Sequence, residues 1–397
     1  MSPEVLEKDK KAEQVLPKEI PQDIGNAALQ LCKEHMPESE LKDTRVSGYT
    51  LSRSPLEVWE EVPQSQKSAE TVKKARQNIL DILRPKPSDD RLLVIVGPCS
   101  IHDIEAGEEY AQWLSRAREK HDEDLEIVMR VYFEKPRTTI GWKGLINEPG
   151  LDGKADINNG RLKARQLLEH INSIGVPAAT EILDKSTPQY IADQVSYGAI
   201  GARDAESHTK REMVSALSFP VGFKNGTGGS IKLAIDAIKT AAAPHNFPGL
   251  TPDGRDGTVH GKGNPDCNII LRGSSHGPNY DKASIERISK QMEEAGVSPS
   301  IVVDVSHGNS GKDYLAQVLV AENVANQIGN GNRNIRGVMI ESFLVEGKQD
   351  HVVNGGIIPR KKLVYGQSIT DACIDLSETR HVLENLADSV RTRRHNS

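Results

Sequence analysis

The sequence is poor in cysteine, in aromatic rings and in long apolar runs, and each shortage removes a class of protein. Cys32, Cys99, Cys267 and Cys373 are the only four cysteines in 397 residues, and no two stand C-x-x-C apart. A disulfide-stapled scaffold and a compact thiolate knuckle are thereby excluded. The thiols are expected to be reduced, with one or two at most doing chemistry. No stretch approaches the roughly 18 apolar residues of a membrane span, so no membrane partner is expected. Residues 1–40 carry acids and lysines but no arginine and no apolar core. That differs from both an organelle presequence and a secretory signal, so the expected location is cytoplasmic. A net charge of −6 gives no sign of a nucleic-acid partner.

What is present is a regular alternation. Residues 1–40 have no sustained period and are expected to form a mobile tail, with a weak helix at 26–35. Residues 41–65 read as an irregular arm. Residues 68–83 have helical spacing, so 41–90 are expected to be an arm and a leading helix. From 91 to 394, short β-rich runs alternate with helical stretches. The runs are 92–97, 126–133, 177–183, 197–202, 220–225, 268–273, 301–305 and 337–343. The helical stretches are 104–120, 160–174, 188–196, 209–217, 229–243, 282–296, 312–328 and 377–391. Eight of each predict a parallel (β/α)8 TIM barrel. No GxGxxG follows the first run, which argues against a doubly wound dinucleotide fold. Residues 246–266 are expected to form a β-hairpin excursion, and 345–368 are long enough to cover a site.

In such a barrel, chemistry sits at the C-terminal strand ends. The unusual residues fall there. Arg130 lies on strand two, with Lys135 and Arg137 just beyond. Strand three holds Glu181. Arg203 follows strand four, Lys224 ends strand five and Arg272 ends strand six. Buried charge without a partner is costly, so six cations facing one mouth need anions. Nearby carboxylates are too few. Ligands carrying phosphate and carboxylate groups are expected, and arginine's planar fork suits both. Cys99, His307 and Glu341 stand at three other strand ends, with Asp371 after the last. Singly, each has a bland reading as a core residue. Together they are a mixed donor set for a divalent transition metal. Lys224 has two readings, a Schiff-base nucleophile or an anion clamp, and the metal set favours the clamp.

Several strings occur in order: GPCSIHD (97–103), MRVYFEKPRTT (129–139), GAIGAR (198–203), PVGFKNGT (220–227), IILRG (269–273), DVSHGN (304–309), GVMIES (337–342) and YGQSITDAC (365–373). Together they resemble the type I, amino-acid-regulated microbial 3-deoxy-D-arabino-heptulosonate 7-phosphate (DAHP) synthases, over about residues 43–394. The resemblance implies an aldol-like condensation of phosphoenolpyruvate with erythrose 4-phosphate, releasing phosphate, at the entry to the shikimate pathway. It implies Cys99, His307, Glu341 and Asp371 as ligands of a divalent metal such as Mn, Fe, Co or Zn. It places Arg130, Lys135, Arg203, Lys224 and Arg272 around phosphoenolpyruvate. Lys135, Arg137 and Thr138 would hold the erythrose phosphate. Lys135, His307 and Glu181 are then the catalytic candidates, Lys135 for the developing alkoxide and Glu181 for the water.

The same resemblance implies a homodimer or homotetramer with an aromatic amino-acid effector. The matching positions are Asp43, Gln189, Leu217, Ser218, Phe247 and Val259, of which the three apolar ones also have a core reading. The string GARDAES departs from the family, which usually has small hydroxyl residues after GAR. Asp204 is expected to turn away as a helix N-cap. Two alternatives stay open: a sister synthase taking another aldose phosphate, and a non-catalytic regulatory paralogue.

Overall fold

Ser54 and Pro55 start the first helix, α1 (Pro55–Glu61). The Ser54 side chain accepts from the Glu57 N–H, and the Glu57 carboxylate accepts from the Ser54 N–H. This reciprocal cap, with proline in the first turn, places a helix within the irregular arm expected over 41–65. The computed structural model describes residues 44–84, 89–137, 140–353 and 355–396. Asp43, Thr138, the expected tail and the helix at 26–35 lie outside the described residues. Met1–Arg53 and Ser54–Ser397 are two compact units. In the first, residues 44–53 are a turn followed by chain without regular secondary structure.

In the second unit, α2 (Gln66–Leu83) leads into the barrel. The strands are β1 (Leu92–Gly97), β2 (Leu125–Arg130), β3 (Ala178–Glu181), β4 (Tyr197–Ile200) and β5 (Val221–Lys224). An excursion, β6 (His245–Leu250) and β7 (Asp256–Gly261), precedes β8 (Cys267–Leu271), β9 (Ile301–Asp304) and β10 (Ile335–Glu341). The intervening helices are α3 (Ile104–His121), α4 (Ile157–Ser173), α5 (Thr187–Ile191), α6 (His208–Val214), α7 (Ile231–Ala241), α8 (Lys282–Glu294) and α9 (Ala316–Gly329), and α10 (Leu376–His395) closes the chain. Eight parallel strands close in the order β1-β10-β9-β8-β5-β4-β3-β2. The expected barrel and the expected hairpin are both present.

The apolar residues divide as a barrel requires. One face of each strand packs outward on the helices. The other forms an inner cluster that includes Leu93, Ile95, Val128, Tyr197, Ile270, Val302 and Met339. Ile79, Ile82 and Leu83 of α2 join that inner cluster, so α2 packs against the barrel interior. The opposite, C-terminal end carries the polar residues. Two elements start or stop away from their apolar pattern. β2 ends at Arg130, and of the next residues Val131 still donates its N–H to Ala179 O of β3 at 2.8 Å. The pattern at 312–328 becomes helix only from Ala316, because Lys312 has φ +66° and cannot continue a right-handed helix. The long segment after β10 contains β11 (Val345–Lys348) paired with β14 (Gln367–Ser368), and β12 (Val352–Val353) paired with β13 (Gly356–Ile357). Among the described residues, no helix is long and apolar enough to cross a membrane.

Candidate active site

The strand ends open onto one cavity of about 330 Å³. All six cations expected there line it, and Lys312 joins them. That makes seven Lys and Arg side chains against three carboxylates, Glu181, Asp204 and Asp371. Arg130 pairs with Glu341 at 2.8 Å, and Lys224 with Asp304 at 3.1 Å. Among the described residues, Arg137, Arg203, Arg272 and Lys312 form no ion pair. A solvated mouth with this excess of unpaired cations suits an anionic ligand.

The parallel pairing of β1 with β10 sets Gly97 opposite Glu341. Cys99, two residues further on, therefore lands beside the Glu341 carboxylate. One donor atom each from Cys99, Glu341 and Asp371 lie within 4.8 Å of one another. Three of the four expected metal ligands are thus gathered. His307 stands at the edge, with Nδ1 3.0 Å from Asp304 Oδ2 and Nε2 3.9 Å from Glu341 Oε1. A carboxylate behind the ring is the usual support for a metal-binding imidazole. One thiol, two carboxylates and an adjacent imidazole fit a divalent transition metal.

Electrostatics in this cluster are tightly opposed. Burial and Glu341 push the Cys99 thiol up, against Lys135. Its Sγ accepts from Lys135 Nζ at 3.2 Å and from the Asp371 N–H at 3.4 Å. Burial would raise Glu341, but His307, Arg130 and Lys135 bring it down to about 2. Ser306 Oγ also donates to it at 2.8 Å. For Lys135, burial disfavours the ammonium, yet Cys99, Glu181 and Glu341 outweigh this and hold it above the usual lysine range. The Tyr132 ring lies under three cations, 3.6 Å from Arg130 Cζ and just under 6 Å from Lys135 and Lys224 Nζ at 5.8 and 5.9 Å. Its π face is a neutral counter-surface for charges that would otherwise repel.

Asp204 is not a helix cap. The N-cap of α6 is Ser207. The chain turns twice before it, with Asp204 N–H donating to Gly201 O and Ser207 N–H donating to Asp204 O, both at 2.9 Å. These turns leave the carboxylate lining the cavity. Burial raises the Asp204 carboxyl above its ordinary value, and Glu181 adds to this against Lys210 and Arg203. Glu181 is 6% exposed. Its Oε1 lies 2.5 Å from where a Cβ on Gly201 would stand, so glycine at 201 makes room for it.

Sequence reasoning missed Asp304, Ser306, Tyr132, Thr370 and Lys312. Asp304 was within reach, since it ends β9 in DVSH and a buried Lys224 needs a counter-ion. Tyr132 and Lys312 had no comparable signal, because one reads as core and the other as the start of a helix. Of the expected effector positions, Phe247 and Val259 face each other across β6 and β7. Leu217 follows α6, which packs on β6, and is partly buried against the core with Phe247. Ser218 is exposed beside it, and Gln189 is on α5.

The fold and the site define a (β/α)8-barrel enzyme with a cation-rich mouth beside a thiol–carboxylate cluster. The model of the DAHP synthetase I family matches residues 73–384. The phospho-2-dehydro-3-deoxyheptonate aldolase of Haemophilus influenzae is 50% identical over 352 residues, covering 89% of this chain and 95% of that protein. The Phe-sensitive enzyme of that name from Escherichia coli is 49% identical, covering 89% and 98%. The tyrosine-inhibited one from Schizosaccharomyces pombe is 46% identical, covering 90% and 95%. The solved structure of the Francisella tularensis enzyme superposes with a TM-score of 0.84 at 44% identity, over 88% of this chain and 99% of that one. The chain belongs to the DAHP synthetase I family, the 3-deoxy-7-phosphoheptulonate synthases of the first shikimate-pathway step.

Proposed function

We propose that this cavity condenses phosphoenolpyruvate with erythrose 4-phosphate. The observation that carries the reading is a mouth in which Arg137, Arg203, Arg272 and Lys312 have no ion-pair partner among the described residues, beside the Cys99–Glu341–Asp371 cluster. Arg130, Arg203, Lys224 and Arg272 hold phosphoenolpyruvate, and Arg137, with Thr138, holds the sugar phosphate. Cys99, Glu341, Asp371 and His307 would hold a divalent metal, which supplies Lewis-acid polarisation of the sugar aldehyde. The enol carbon of phosphoenolpyruvate attacks that aldehyde. Lys135, kept as an ammonium 3.2 Å from Cys99 Sγ, delivers a proton to the alkoxide. Water then adds to the cationic enol-ether carbon, with Glu181 receiving its proton. Phosphate leaves by C–O cleavage. The nearby Asp304 ties Lys224 into an ion pair, which supports a clamp and not a Schiff-base nucleophile.

We also infer a homodimer or homotetramer and an aromatic amino-acid effector near Gln189, Leu217, Ser218, Phe247 and Val259. The Phe-sensitive and tyrosine-inhibited relatives support that regulation. The direct test is phosphate release from phosphoenolpyruvate, with and without erythrose 4-phosphate, chelator and each aromatic amino acid. Release should require the sugar, stop with chelator, return with added Mn or Co, and fall with at least one amino acid. Release that survives chelation would reject the metal. No release at all would reject the substrate pair.

Asp204 yields a further prediction. Its carboxylate faces the same rim as Arg203, so it opposes an anionic substrate. Asp204→Asn should lower KM for phosphoenolpyruvate by roughly 3- to 10-fold, the size of removing one like charge across a partly solvated site. Melting temperature should be unchanged. An equal or higher KM would show that the carboxylate does not face the bound anion.

A further inference from the structure

The turn between β9 and α9 is held in a costly backbone shape. Among the described residues only three that are not glycine have positive φ, and two of them, His307 at +53° and Lys312 at +66°, bound this turn. A lysine pays for the left-handed region in steric strain, and such strain persists where the surroundings fix it. Here they do. Lys312 N–H donates to His307 O at 2.8 Å, closing the turn. Gly308 N–H donates to Arg272 O at 3.0 Å. Buried Asn309 donates to Leu271 O at 3.1 Å and to Asp304 O at 2.8 Å. A Cβ on Gly273 would strike the backbone of Gly308 at 2.4 Å, so the end of β8 and the turn touch main chain to main chain. The turn is therefore riveted to the strand end that carries Arg272.

Lys312 gains nothing internal from this shape. Its side chain is exposed and forms no ion pair among the described residues. What the shape does is bring Lys312 to line the cavity together with Arg272, Lys224 and Arg203. A right-handed residue there would continue toward α9. We propose that Lys312 is a further phosphoenolpyruvate-binding residue, carried to the rim by this left-handed turn. It adjoins the β8 end, and β8 is followed in the barrel by β5 and β4, which carry Lys224 and lead to Arg203. It does not adjoin β2, which leads to Lys135 and Arg137. Its anion is therefore that of phosphoenolpyruvate and not the sugar phosphate. This inference rests on the reading of the cavity given above.

Two variants separate charge from backbone. Lys312→Gln keeps the strained turn and removes the charge. Lys312→Gly removes the charge and suits the left-handed backbone. Both should raise KM for phosphoenolpyruvate by about 5- to 20-fold, the range of one charge-assisted contact at a solvated rim, and leave KM for erythrose 4-phosphate within two-fold. The loss should fall on KM and not on kcat. Lys312→Gly should melt no lower than the unaltered enzyme, so that weakened binding is not misfolding. Titration of phosphoenolpyruvate alone, followed calorimetrically, should show the same loss of affinity. A phosphoenolpyruvate KM within two-fold of the original in both variants would overturn the proposal, as would a fall confined to kcat. Activity of the unaltered enzyme in the same assay reports separately on the substrate pair.

Discussion

Cys99→Ala is expected to cost at least about 100-fold in kcat and to leave little bound metal after dialysis. Cys99 is the one soft donor in the cluster. The others cannot compensate, because they are already committed: Glu341 accepts from Arg130 on one oxygen and from Ser306 on the other, both at 2.8 Å. His307 is tied to Asp304. Burial and Glu341 disfavour the Cys99 thiolate, and a divalent cation that displaces the proton would offset its repulsion with the carboxylate. Removing the sulfur takes away that exchange. Cys99→Ser should keep some binding but shift preference toward harder ions such as Mn. Metal content and kcat at several metal concentrations would check both variants. Full activity and full metal retention in Cys99→Ala would sink the assignment of Cys99 as a ligand.

Arg130→Met should destabilise the metal-free protein by about 3–5 kcal/mol, the usual result of stripping a counter-ion from a buried charge. Arg130 and Glu341 are both fully buried. The guanidinium is also used by the backbone, with Nε donating to Pro98 O at 3.1 Å and Nη2 to Cys99 O at 3.2 Å. Methionine fills much of the volume and restores none of these bonds. The pH dependence has a definite sign. Glu341 is held at about 2, below an ordinary carboxyl. Its stabilising contribution is therefore complete above the ordinary glutamate pKa and lost as pH falls through the folded value. Arg130 is one of the groups holding it down, so without Arg130 the loss should begin at higher pH. Acid unfolding of the metal-free variant, followed by circular dichroism, should show a raised midpoint. An unchanged midpoint and melting temperature would mean that His307 and Lys135 suffice.

The barrel was legible because its cause is local. Continuous β-rich runs separated by helical periods leave few ways to bury eight strands on both faces. The site was legible for a related reason. Polar residues such as Arg130, Lys224 and Glu341 interrupt apolar strands at their ends, and a closed parallel barrel brings those ends together. What the sequence concealed depends on neighbours or backbone. Residues 54–57 were read as part of an irregular arm when the capping pattern was the stronger signal. Asp204 was assigned to a helix that starts three residues later. Lys312 fits a helical period by side chain and breaks it by φ, which no composition reveals. Of the four proposed metal ligands, Cys99 and Glu341 meet because of strand register, Asp371 comes from the loop after β14, and the 3.9 Å from His307 Nε2 to Glu341 is fixed by the turn around Asp304.

The hairpin of β6 and β7 pairs only with itself and shares no ladder with the barrel. It is spliced between α7 and β8, and the neighbouring β5–β8 register runs from Val221 opposite Cys267 to Lys224 opposite Ile270 without interruption. Insertions and substitutions in the hairpin therefore leave the spacing of Lys224 and Arg272 untouched. The hairpin can vary while the chemistry of the strand ends is inherited unchanged. Exchanging residues 245–261 between copies should therefore leave the chemistry at the barrel mouth intact.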